Sequence, residues 1–223
     1  MTRLQTRLAA ALLAAATLAA CGGAPAAGAQ TTPAPAGGHH HPAAQPAAGT
    51  LPPGAHHPWT EADVRFMSNM IGHHAQAIEM SRLAPERAGG NNIRILAERI
   101  IAAQEDEIAT MQQWLRDRGE PVPDVHAGHH AGHGALMPGM ATPEQMARLA
   151  AARGPAFDLL FLNLMIHHHQ GAVGMVSELF SSYGAGQDET VFKFASDVNV
   201  DQATEIARMQ KMLEGLMFAS PTP

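Results

Sequence analysis

The chain has one cysteine, Cys21, so no intrachain disulfide can form. Basic charge is scarce: 14 Lys and Arg face 20 Asp and Glu, a formal charge of −6, and no basic patch exists to recruit nucleic acid. Runs of alternating β-branched residues are missing, so nothing competes with helix as the dominant element. No Glu-x-x-His occurs, which excludes the ligand pattern of di-iron carboxylate bundles. Nor is there a nucleophile–base constellation or a cofactor fingerprint, so no feature marks an enzyme.

The longest apolar run, Leu8 to Ala20 after Arg3 and Arg7, is too short for a permanent membrane span and suits a secretory leader over 1–20. It ends in Leu18-Ala19-Ala20-Cys21, which resembles the lipobox of bacterial lipoproteins. That resemblance implies cleavage before Cys21, lipid attachment to its thiol, and a location on the periplasmic side of the cell envelope, lipid-anchored or secreted. Loss of the leader leaves 12 basic against 20 acidic side chains, a net charge of −8. Residues 21–58 are rich in Ala, Pro, Gly and His, and poor in large apolar groups. They are expected to be a disordered tether, because little burial would offset the cost of ordering.

What remains, 59–218, reads as one all-α domain. Helices are predicted at about 60–83, 92–118, 143–182 (with a break near Gly154-Pro155) and 187–217. Thr60 with Asp63, and Thr142-Pro143-Glu144, supply helix starts; Gly89-Gly90 and Gly184-Ala185-Gly186 supply turns. The second half repeats the first. At an offset of 95, Phe66, Met70, His73, His74, Ala77 and Met80 match Phe161, Met165, His168, His169, Ala172 and Met175. At an offset of 98, Gln104, Glu107 and Met111 match Gln202, Glu205 and Met209. Two hairpins (60–118 and 143–217) joined by a His/Met-rich connection (119–142) imply an antiparallel four-helix bundle, each apolar face covered by its twin.

A 4-3-4-3 spacing puts His73 and His168 on the central seam, with His74 and His169 on the flanking row. The same spacing places Gln104, Glu107, Gln202 and Glu205 on the seams of the partner helices. A buried carboxylate needs a partner, so His73 is expected to face Glu107 and Gln104, and His168 to face Glu205 and Gln202. Two explanations fit: a buried polar network that fixes packing, or a metal held by imidazoles with thioether and carboxylate help. Met70 and Met165 stand where a di-iron protein would carry glutamate. Imidazole with thioether favours copper, Cu(I) especially, while histidine with glutamate also suits zinc.

Nine further histidines lie in tracts: His39 to His41, His56-His57, and His126, His129, His130 and His133. Met137 and Met140 follow the last group, which makes that segment an auxiliary metal binder by composition.

The segments "FMSNMIGHHAQAIEM" and "FLNLMIHHHQGAVGM", the Met-Pro-Gly-Met connection and the two Gln-x-x-Glu-Ile-x-x-Met helices resemble the bacterial family known as domain of unknown function 305, over about 60–217. The resemblance implies a ferritin-like four-helix bundle in exported proteins, some of which bind copper through histidine and methionine. It maps the ligand pairs to His73-His74 and His168-His169, with Met80 and Met175 closing each motif. Gly72 stands where the family usually has proline, Gly174 replaces the acid present as Glu79, and His167 is additional. The two halves therefore need not bind equally. The sequence points to a copper-binding envelope protein, against a metal-free structural or interaction module or a metal-dependent redox enzyme; self-association stays open.

Overall fold

The computed structural model describes residues 58–125 and 136–218. The leader, Cys21, the tether and His126, His129, His130 and His133 lie outside the described residues. Among the described residues six helices follow in order: α1 (Glu61–Arg82), α2 (Ala84–Arg87), α3 (Asn91–Asp117), α4 (Pro143–Ala151), α5 (Pro155–Ser181) and α6 (Glu189–Phe218). No helix among the described residues is long and apolar enough to cross a membrane.

Local chemistry sets the boundaries. Thr60 and Asp63 form a full capping box at α1, and Thr142 and Gln145 another at α4, where Pro143 takes the first turn. The predicted helix over 143–182 is two helices. The chain leaves helical geometry at Ala152, and Gly154, at φ 62°, turns it so that Pro155 can open α5.

Helices α1 and α3 form one hairpin and α5 and α6 the other, and α1 packs on α5 where the hairpins meet. The two central helices run antiparallel, as their ends show. At one end Asp63 accepts from the amide of Gly186 (2.7 Å), beyond α5. At the other, Asp158 at the start of α5 accepts from the amides of Gly89 and Gly90 (2.9 and 2.8 Å), in the α1–α3 turn. Burial of Asp63 and Asp158 is thereby compensated by backbone donors.

The interior divides into two apolar clusters. One holds Phe66, Met70, Met111, Trp114, Met175 and Phe194; the other holds Met80, Ile93, Phe157, Phe161, Met165 and Met209. Each fully buried side chain of this size stabilises the fold by roughly 1.5–3 kcal/mol. Such packing accounts for methionine in the core without any ligand. The four motif methionines are thus shared between the clusters, Met70 and Met175 in one and Met80 and Met165 in the other.

Candidate metal centre

His73, His74, His168 and His169 are all buried in the bundle. The repeat and the antiparallel packing of α1 on α5 bring His73 and His168 together, with ring centroids 3.8 Å apart. This corrects the expected pairing. His74, not His73, meets Glu107 (Nε2 to Oε2, 2.8 Å), and His169, not His168, meets Glu205 (2.8 Å). The flanking histidine of each pair points to the partner helix of its own hairpin, while the seam histidines point to each other. Glu107 and Glu205 are not sealed in the core either, their side chains being 20 % and 24 % exposed. Gln104 and Gln202 are buried as expected, yet neither amide of Gln104 nor the Gln202 carbonyl oxygen finds a partner.

The seam histidines use backbone acceptors instead. His73 Nε2 is 3.0 Å from the carbonyl oxygen of Pro138, and His168 Nε2 is 3.0 Å from that of His73. A carbonyl only accepts, so both Nε2 atoms must carry the hydrogen, and a neutral ring then leaves its lone pair on Nδ1. The contact of His169 with Glu205 assigns that ring the same tautomer. The Nδ1 atoms of all four histidines are buried with no hydrogen-bond partner. Metal-binding histidines commonly take this form, one nitrogen donating to a carbonyl or carboxylate and the other free to ligate. Burial first, then the neighbouring His74, lowers the pKa of His73 to about 3; burial, then His73, lowers that of His168 well below its ordinary value. Neutral imidazole, the ligating form, is therefore the resting form of both.

One side of the centre is closed by the connection. Met137 lies against Gly72 and Pro138 caps His73, while Gly139, at φ 78°, rides on Gly171. Gln76 fastens the strap with two bonds, Nε2 to the Ala141 carbonyl (2.9 Å) and Oε1 from the Ala141 amide (2.7 Å). A Cβ on Gly171 would come within 2.0 Å of the Pro138 oxygen. Sequence reading missed Gln76 and Gly171, because they occupy equivalent repeat positions with opposite demands, one a clamp and the other a gap. Their mismatch at the 95-residue offset was the available signal. Met140 is partly buried in the same strap.

Among the described residues, no three His, Cys, Asp or Glu side chains converge to hold a metal by themselves. The donor set still fits a soft ion, since four buried imidazole nitrogens are without partners and the motif methionines, buried in the same bundle, would add thioethers.

Fold and site together define a four-helix bundle with a buried histidine centre. The chain belongs to the family called domain of unknown function 305 (DUF305), whose profile matches residues 63–213. A DUF305 fragment from Deinococcus radiodurans is similar in structure, with TM-score 0.61, 31 % identity, and coverage of 71 % of this chain and 99 % of that one. Two forms of a protein called CopM are also similar. Its Cu(I)-bound form gives TM-score 0.54 at 31 % identity, covering 70 % of this chain and 97 % of that one. Its Cu(II)-bound form gives 0.57 at 34 %, covering 69 % and 96 %. No curated protein matches the chain. The shared portion is nearly the whole of each of these chains.

Proposed function

We propose that this protein binds a soft metal ion, copper foremost, in the bundle core and holds it at the cell envelope. The observation that carries the reading is the set of four buried Nδ1 atoms without partners, on rings of which three, those of His73, His168 and His169, already use Nε2 in a hydrogen bond to an oxygen. Leaving four such acceptors unsatisfied costs roughly 1–3 kcal/mol each, which a bound ion would recover. His73, His74, His168 and His169 would supply imidazole, and Met70, Met80, Met165 and Met175 thioether. Glu107 and Glu205 would orient the flanking rings, with zinc as the harder alternative cargo. Copper-bound CopM supports the choice of metal. The leader-like start and Cys21 support export and a lipid anchor, and the histidines at 126–133, with Met137 and Met140, would add outer capture sites.

The test uses residues 59–223 loaded with Cu(I), Cu(II) or Zn(II), with stoichiometry and affinity compared with those of His73→Ala/His168→Ala. Affinity is expected to fall by more than about tenfold. Unchanged binding in the folded double variant would remove the core site and leave only the histidine tracts. A second reading, a metal-free packing module, is favoured by the Nε2 bonds already in place; under it the parent takes up no metal.

A further inference from the structure

His73 and His168 are 0 % and 1 % exposed, so an ion reaches them only if some part of the wall moves. Parting α1 from α5 would open both apolar clusters, since each draws side chains from both helices. The strap is the weaker wall. Residues 136–141 form neither helix nor strand, and Pro138 is exposed on the outside while its carbonyl oxygen rests on His73 within.

The bonds that hold the strap down come from one turn of α1. His73 donates to Pro138, and Gln76, on the same face, both donates to and accepts from the backbone of Ala141. Gln76 and Ala141 are 5 % and 3 % exposed, so water does not compete for this pair while the strap is shut. Towards α5 the strap meets backbone: a Cβ on Gly139 would lie 2.5 Å from the carbonyl oxygen of His167 and 2.8 Å from Cα of Gly171. Contact between glycines parts without disturbing a side chain. Breaking three hydrogen bonds whose groups then meet water costs far less than opening the bundle.

We propose that the strap, 137–141, is the door through which a metal ion enters and leaves the histidine centre, and that Gln76 is its latch. Gln76 is a positioning residue: it acts through Ala141 and Pro138 on access and contributes no ligand atom. The strap also carries the acceptor of His73 Nε2, so lifting it bares the ring and frees that nitrogen in one movement. Gly171 occupies the position of Gln76 in the second half, so the latch exists on one side only. The inference rests on the metal-binding reading above and adds the route and the residue that governs exchange.

The test follows uptake of Ag(I), a soft ion with the charge of Cu(I), by residues 22–223, which leave out the Cys21 thiol. Stopped-flow fluorescence of Trp59 and Trp114 is the signal, Trp114 sharing an apolar cluster with Met70. The phase absent from His73→Ala/His168→Ala is that of the core. In the parent its rate is expected to rise with Ag(I) concentration and then level off at the opening rate of the strap. Gln76→Ala should raise that plateau and the rate of release to excess glutathione by the same factor, about tenfold, with stoichiometry and affinity kept. Asp158→Ala also loses two buried backbone bonds, but roughly 20 Å along α5 from Gly171, and should leave the plateau unmoved. A parent rate proportional to Ag(I) throughout, an unchanged plateau in folded Gln76→Ala, or equal acceleration by Asp158→Ala overturns the route and leaves core binding intact. Faster release with unchanged uptake would make Gln76 a determinant of the bound state and also overturn it. A parent that lacks the core phase overturns both readings.

Discussion

In the first hairpin His73 gives its Nε2 hydrogen to Pro138 in the connection; in the second, His168 gives its own to the backbone of His73. The flanking histidines behave alike in both halves, each meeting a glutamate on the neighbouring helix at 2.8 Å. The two halves thus share the imidazole–carboxylate pairs, while the single connection, which cannot be symmetric, differentiates the seam. Gln76 holds the strap and Gly171, its counterpart, makes room for it. Two copies of one motif can diverge in role when a single strap can lie on only one of them.

Acid should test the seam histidines most strongly. The folded-state pKa values of His73 and His168 lie below 6.5, so the unfolded chain binds more protons as pH falls through that value. Their contribution to stability is full above pH 6.5 and is lost as pH falls towards about 3. The slope builds towards about 1.4 kcal/mol per pH unit for each ring, so metal-free protein is expected to lose roughly 3 kcal/mol between pH 6.5 and 5, measured by urea unfolding. His73→Gln and His168→Gln should each remove about half of that dependence. A large inequality would show that the strap bond also separates the two rings energetically.

The differences between the halves come next. Gly171→Ala forces a Cβ against the Pro138 backbone and is expected to cost about 3 kcal/mol in the same measurement. Gln76→Ala strands the buried amide and carbonyl of Ala141, for an expected loss of about 2 kcal/mol. Gly174→Ala, three residues beyond Gly171 on the same helix, has nothing within 4 Å of the new Cβ. It should be neutral or stabilising by up to about 1 kcal/mol, since alanine is the better helix former. If Gly171→Ala proved as mild as Gly174→Ala, the strap would not press on α5 as described.

Much of the fold was legible because helix starts and turns are local chemistry. Thr60, Thr142, Gly154 and the Gly184–Gly186 turn each do in the structure what their types and positions predict. The periodic spacing correctly buried His73 and His168 but understated His74 and His169, which are just as buried. A seam drawn on one helix cannot say which neighbour lies beside it, and here each central helix has two. The pairing error has that cause: α1 meets α5 with His73 and α3 with His74. Glu107 and Glu205 were likewise placed too deep: their side chains are 20 % and 24 % exposed.

By itself the sequence determined the duplicated helical hairpins, their caps and turns, and the doubling of histidine, methionine, glutamine and glutamate. These follow from residue type and spacing, which act within a few residues along the chain. Tertiary structure alone decided which histidine meets which partner, which nitrogen keeps its lone pair, and that a strap closes one side of the centre. Those outcomes depend on helix packing and on the course of the single connection, neither of which a repeat of 95 residues encodes.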